Sequence, residues 1–177
     1  ALPWSNGMNG QVGWYENTGN SQDWIHHILT SNAPSNEDEQ AVDIDGDGDL
    51  DILHAHYNSG ADDYMAWWTN DGSGNFSQIT FTTSLDKITS FYASDMDGDG
   101  DMDIVSSSKD NDMIAWFEND GSENFTERII TSSTGGANIV FVADMDGDGD
   151  MDVVSASYWD DTIAWYENDG SANPSWI

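Results

Sequence analysis

The sequence predicts an all-β fold assembled from repeated units of four short antiparallel strands, and three observations carry that expectation. A nine-residue acidic run recurs three times, at 43–51, 95–103 and 144–152. A tryptophan followed by a second aromatic recurs four times, at Trp14-Tyr15, Trp67-Trp68, Trp116-Phe117 and Trp165-Tyr166. Between these markers the apolar residues fall in short runs bounded by Asn, Asp, Gly and Ser, which reads as strand and turn. The acidic runs step by 52 and 49 residues and the tryptophans by 53, 49 and 49, so two markers share one period. Four strands in a unit of this length is the pattern of a β-propeller blade.

The third unit shows the elements most clearly. Runs 88–93 and 104–108 flank the acidic stretch 95–103, then 113–118 follows an Asp-Asn-Asp turn and 125–131 follows Asn119-Asp120-Gly121-Ser122. The segment 24–29 (WIHHIL) comes nearest to a helical period, but its counterparts in the later repeats read as strand. Residues 1–177 therefore form one repeat domain, with units at about 1–31, 38–82, 87–132 and 137–177. The first unit starts near its second strand, since 2–6 falls where 153–157 sits in the last, and the last stops as its fourth strand begins. That makes three and a half to four blades. Closed propellers have typically four to eight. The expectation is a partial propeller: part of a longer chain, a ring completed by a second copy, or an open self-associating array. Neighbouring residues on a strand point to opposite faces, so Trp116 and Phe117 should serve different blade-to-blade interfaces.

The composition fits a packed domain, with 37% hydrophobic residues and nine tryptophans. The charge is extreme: 34 acids against Lys87, Lys109 and Arg128, a formal −31. Such a charge repels nucleic acid and anionic membranes, and it points to cations and to a calcium-rich extracellular setting. Fifteen of the 34 acids lie in the three loops. There is no cysteine, which excludes disulfides and thiol chemistry. No apolar run is long enough to insert in a membrane.

Each acidic run places carboxylates on alternate residues with glycines between them. Like charges this dense need a cation to hold them together. Calcium takes six to eight oxygen ligands in irregular geometry, whereas magnesium keeps several waters and fits an all-protein cage less well. The expected ligands of the first loop are the carboxylates of Asp43, Asp45 and Asp47, the backbone carbonyl of Asp49, and Asp51 closing the shell. The second loop offers Asp95, Asp97, Asp99, Asp101 (backbone) and Asp103, and the third Asp144, Asp146, Asp148, Asp150 (backbone) and Asp152. The start of each loop matches an EF-hand, but the twelfth position holds His54, Ser106 or Ser155 where an EF-hand needs Glu. A loop closed by an acid at position nine suits a tight connection between two strands. Three bound calcium ions acting as structural staples is the expectation.

DxDGDGxxD between two strands, in units of about 50 residues with an aromatic third strand, resembles the FG-GAP/VCBS-type repeat. That repeat builds the β-propeller of integrin α subunits, of many secreted bacterial proteins and of some fungal lectins. The resemblance covers roughly Gly13 to Asn168 and implies a seven- or eight-bladed propeller with calcium in the hairpin between the first and second strands of each blade. The strands after the loops (52–56, 104–108 and 153–157) depart from the integrin-like pattern and side with the bacterial and lectin-like branch.

The functional expectation is a secreted, non-catalytic module for adhesion or recognition, with carbohydrate as the first ligand class and a cell-surface protein as the other. Loops 58–63, 110–112 and 158–161 lie opposite the calcium hairpins, and within them Tyr158, Trp159, Asp160, Asp110 and Asp112 are the candidate ligand-binding residues. The alternatives are a self-assembling structural protein, and the propeller part of a polysaccharide lyase or hydrolase. The enzyme reading has little support, because the conspicuous acids are committed to metal and no nucleophile motif or phosphate loop is present. His54 and His56 share a strand face but have Ser counterparts in the other repeats, so they read as a polar pair rather than a metal site. Asn75-Phe76-Ser77 and Asn124-Phe125-Thr126 are glycosylation sequons at equivalent positions, and their recurrence follows the repeat.

Overall fold

The computed structural model describes residues 10–20, 22–33, 36–56, 63–82, 84–171 and 174–176, and every regular element among them is a β-strand. The first sheet pairs β1 (Gly10–Asn17) with β2 (Trp24–Ala33). The second is a meander of β3 (Asn36–Val42), β4 (Asp51–His56), β5 (Tyr64–Asn70) and β6 (Phe76–Thr82). The third repeats it with β7 (Ile88–Ser94), β8 (Asp103–Ser108), β9 (Met113–Asn119) and β10 (Phe125–Thr131). The fourth holds β11 (Ala137–Ala143), β12 (Asp152–Ser157) and β13 (Ile163–Tyr166). The all-β expectation holds, and the strands of the third unit fall within a residue of their predicted bounds. Two middle units are complete four-stranded blades, and among the described residues the sheets do not close into a barrel. The expected remnant of a strand at 2–6 lies outside the described residues.

The second strand of each middle blade is covered on both faces. β4 (DILHAH) and β8 (DIVSSS) are buried at every residue. Burying hydroxyls is costly unless they are bonded. In β8 they are: Ser106 and Ser107 Oγ donate to the Ser90 carbonyl, and Ser108 Oγ to that of Asp86.

Neighbouring sheets pack through alternating faces, as the Trp-aromatic pair requires. Trp67, Leu53, Met65 and Ala55 of the second sheet meet Phe117, Ala115, Ile104 and Ala93 of the third. Trp116, Ile114 and Val105 of the third meet Tyr166, Val153, Val142 and Val140 of the fourth. Trp14 and Val12 of the first meet Trp68 and Ile52 of the second. One rule therefore describes all three interfaces: the tryptophan face of a unit covers the second-aromatic face of the unit after it.

The strand that begins the third blade, β7, is a sheet edge, and side chains of the preceding unit bond its outward amides. Asp38 Oδ2 accepts the Phe91 N–H (3.1 Å) and the Ser90 hydroxyl (3.2 Å), and Gln40 Oε1 accepts the Ala93 N–H (3.0 Å). Thr89 Oγ1 donates to the Ala137 carbonyl at 3.0 Å, which joins the third unit to the fourth.

Candidate functional site

The three acidic loops connect β3 to β4, β7 to β8 and β11 to β12, and they share one geometry. The first carboxylate of each accepts two amides from the glycines ahead of it. Asp43 takes Gly46 (2.9 Å) and Gly48 (3.0 Å), Asp95 takes Gly98 (2.8 Å) and Gly100 (3.1 Å), and Asp144 takes Gly147 (2.7 Å) and Gly149 (3.2 Å). This curl needs φ values such as +74° at Gly46 and +95° at Gly48, which glycine reaches without strain. The third and fifth carboxylates each accept the amide two residues on: Asp45 that of Asp47, and Asp47 that of Asp49. One oxygen from each of Asp43, Asp45 and Asp51 lies within 4.8 Å of the others; Asp95, Asp97 and Asp99 form the second such group, and Asp144, Asp146 and Asp152 the third. Asp47, Asp103 and Asp148 fall outside these groups.

The ninth acid sits at the bottom of each loop, fully buried. It clamps the hairpin with both oxygens. Asp103 accepts Met96 N–H (2.9 Å) and Asn119 N–H (2.8 Å); Asp51 accepts Ile44 (3.1 Å) and Asn70 (2.8 Å); Asp152 accepts Met145 (3.0 Å) and Asn168 (2.8 Å). Burial pushes the Asp103 carboxyl up to about 7, against the two amides and the facing Trp116 indole. Burial also raises Asp51, and burial with Asp99 alongside raises Asp97. The metal-free loops therefore resist full ionisation. A hard, oxygen-seeking cation would relieve that resistance, so the donor set fits a divalent ion.

The other half of the site is the Asn-Asp-Gly turn that follows the third strand of the second and third sheets and β13 of the fourth. In the sequence this turn reads only as punctuation between strands. Asn119 Nδ2 donates to Met102 O of its own loop (3.2 Å) and to Ile44 O of the preceding one (3.3 Å). Asn168 repeats this with Met151 O (3.1 Å) and Met96 O (2.8 Å). Each asparagine thus ties two successive loops together. The seventh acid of each loop turns its side chain toward the glycine of this turn. A Cβ on Gly72, Gly121 or Gly170 would strike the carboxylate of Asp49, Asp101 or Asp150, and each glycine has φ near +69°. Recurrence of N-D-G in phase with the loops was the signal that could have revealed this.

At the opposite end of the strands, the structure gathers most of the predicted ligand residues. Tyr158 N–H donates to Gly136 O (2.9 Å) and Trp159 N–H to Gly135 O (2.8 Å). Asp160 Oδ2 accepts Gly135 N–H (2.9 Å), and Asp112 Oδ1 accepts Gly136 N–H (2.7 Å). The Lys109 ammonium lies 4.1 Å from the centre of the Tyr158 ring and 5.9 Å from that of Trp159. Tyr158 is 65% exposed and Trp159 57%. Asp110 instead faces Lys87 at 3.9 Å. The Gly135-Gly136 segment, which organises the cluster, was not foreseen. Of the third predicted loop, 58–62 lies outside the described residues, while Asp63 accepts the Lys87 N–H (2.6 Å).

His54 and His56 are buried in β4, with Tyr64 stacked on His56 and edge-on to His54. Burial, with His56 nearby, lowers His54 to about 4. The neutral ring is the folded form, so its contribution is complete above the ordinary value near 6.5 and is lost as pH falls toward 4. His54→Ser, the residue of the other repeats, should flatten the loss of stability between pH 6.5 and 4 by about 3 kcal/mol. Urea titrations of both proteins across that range measure it; parallel pH curves would refute the assignment.

The family model described as FG-GAP-like repeat matches the chain twice, over 43–106 and 95–155. Each match runs from one acidic loop into the strand after the next, and together they span 113 of the 177 residues. No curated protein matches the chain significantly.

Proposed function

We propose that this chain, a member of the FG-GAP-like repeat family, is an extracellular, calcium-stabilised recognition module that binds carbohydrate without acting on it. The observation that carries the reading is the division of labour between the two ends of the strands. At one end, acids in three equivalent loops are spent on backbone amides and on mutual convergence, which suits a fixed cation that neutralises them. At the other end the backbone bonds recur between units, with Asn111 on the Asp86 N–H and Asp63 on the Lys87 N–H matching Asp160 on Gly135 and Asp112 on Gly136, but the aromatic pair Tyr158-Trp159 stands where the third unit has Lys109-Asp110. Two exposed aromatic residues, Tyr158 and Trp159, stand there on backbone pinned at Gly135 and Gly136, with Lys109 against the Tyr158 ring and Asp160 and Asp112 bonded to the same segment. Flat aromatic faces beside oriented carboxylates match a sugar, which offers a C–H face for stacking and hydroxyls at its edge. The strong negative charge supports a calcium-rich setting outside the cell and a neutral rather than anionic glycan.

Screening the chain on a panel of neutral and anionic glycans tests the reading. Trp159→Ala should weaken binding by tenfold or more while leaving the melting temperature unchanged, because the ring is solvent-facing. An absence of binding to any glycan in calcium, or binding that survives Tyr158→Ala with Trp159→Ala, would overturn it.

A further inference from the structure

The outer faces of the first and last sheets expose the residues that every interior interface buries. Ile163 occupies the repeat position of Ile114 and Met65, and Trp165 that of Trp116 and Trp67. The four interior residues are fully buried, whereas Ile163 is 79% exposed and Trp165 44%. Register places them beside further small apolar residues: Ala156 pairs Ile163, and Val154 pairs Trp165. At the other end, Tyr15 stands where Phe117 stands in the third unit. Phe117 is buried under the second sheet, but Tyr15 is exposed and stacked on His26 (4.4 Å between ring centres).

The interior interfaces say what covers such faces. The Trp67 face takes the Phe117 face, and the Trp116 face takes the Tyr166 face. The exposed Trp165 face therefore lacks a second-aromatic face, and the exposed Tyr15 face lacks a tryptophan face. We propose that the Trp165 face of one chain packs on the Tyr15 face of a second copy, so that chains stack head to tail with the inter-unit geometry already present within the chain. The contact joins two different faces, so it is heterologous: it closes into a ring where the inter-unit rotation returns to its start, and otherwise leaves one free face of each kind at the ends of a stack. Net charge opposes it, and so stacking should strengthen as salt screens the chains and as calcium neutralises the loops.

The test is mass by light scattering of the 177-residue chain in calcium and about 0.5 M salt, where screening is short-ranged. The wild type is expected at twice the 19.4 kDa chain mass or more. Ile163→Glu, alone or with Trp165→Glu, blocks one face, and Tyr15→Glu blocks the other. Each variant by itself should be a monomer with wild-type circular dichroism. An equal mixture of the two should form a dimer and stop there, since only one competent pair of faces remains. If Trp165→Glu disturbs the fold, Ile163→Glu alone serves, because its side chain is the most exposed on the face. A wild type that stays monomeric at all salt concentrations overturns the proposal. So does a Tyr15→Glu chain that associates like the wild type, which would mean like faces pairing, or a mixture that fails to dimerise.

Discussion

Chelating divalent cations should lower the melting temperature of the chain by about 15–30 °C. The estimate rests on three loops, each contributing about 2.7 kcal/mol when free ion stands at 100 times its dissociation constant, or about 8 kcal/mol in all. For a chain of this length each kcal/mol moves the midpoint by roughly 2–4 °C. The structure supplies the reason for the dependence. Each loop brings three carboxylates within 4.8 Å of one another, and burial already raises Asp51 and Asp97, and lifts Asp103 to about 7. Without a cation, those acids must repel one another or take up protons. Calorimetry with and without chelator reads the effect directly. Asp97→Ala should remove about a third of the chelation-sensitive part, as one loop of three. A midpoint unmoved by chelator would refute the calcium reading of all three loops.

The loops and the tryptophan strands were legible because they repeat in phase, and a repeated acidic hairpin leaves few alternatives for the chain around it. Alternation on a strand then assigned Trp116 and Phe117 to opposite interfaces, which the packing of the third sheet bears out. Asn119 was not legible. An asparagine before Asp-Gly reads as a turn residue, and nothing local says that its amide reaches Ile44, 75 residues earlier. Only the stacking of one blade on the next makes that contact. Asp110 and Asp112 show the same limit on a smaller scale. Two residues of one turn, equally acidic, diverge because Asp112 adopts φ of +53° and turns to the Gly136 amide, while Asp110 faces Lys87. Polar side chains whose roles depend on a neighbouring unit are set by tertiary packing, and the strand pattern does not encode them.

The ninth acid of each loop clamps the hairpin by bonds that need no cation, and Asp103→Asn should separate that role from metal binding. The Asp103 carboxyl accepts one amide on each oxygen, from Met96 and from Asn119, in a site with no solvent exposure. An asparagine of the same shape offers one acceptor and turns its NH2 group toward the other amide. One buried N–H then loses its partner and a second donor is buried against it, a cost of about 2–4 kcal/mol. The asparagine also removes the charge whose burial is unfavourable, so the loss should be largest at low pH, where the wild-type carboxyl is protonated. It should shrink as pH rises through about 7, because the wild type then bears the burden of ionising Asp103. Asp99→Asn is the contrast, since Asp99 accepts the Asp101 amide in an exposed part of the loop. In calcium both variants should be destabilised. In chelator Asp99→Asn should approach the wild type, while Asp103→Asn remains less stable at pH 5. If chelation erased the difference for Asp103→Asn as well, the ninth acid would be a metal ligand alone. The hairpin would then owe its closure to the cation rather than to the Asp103–Asn119 clamp.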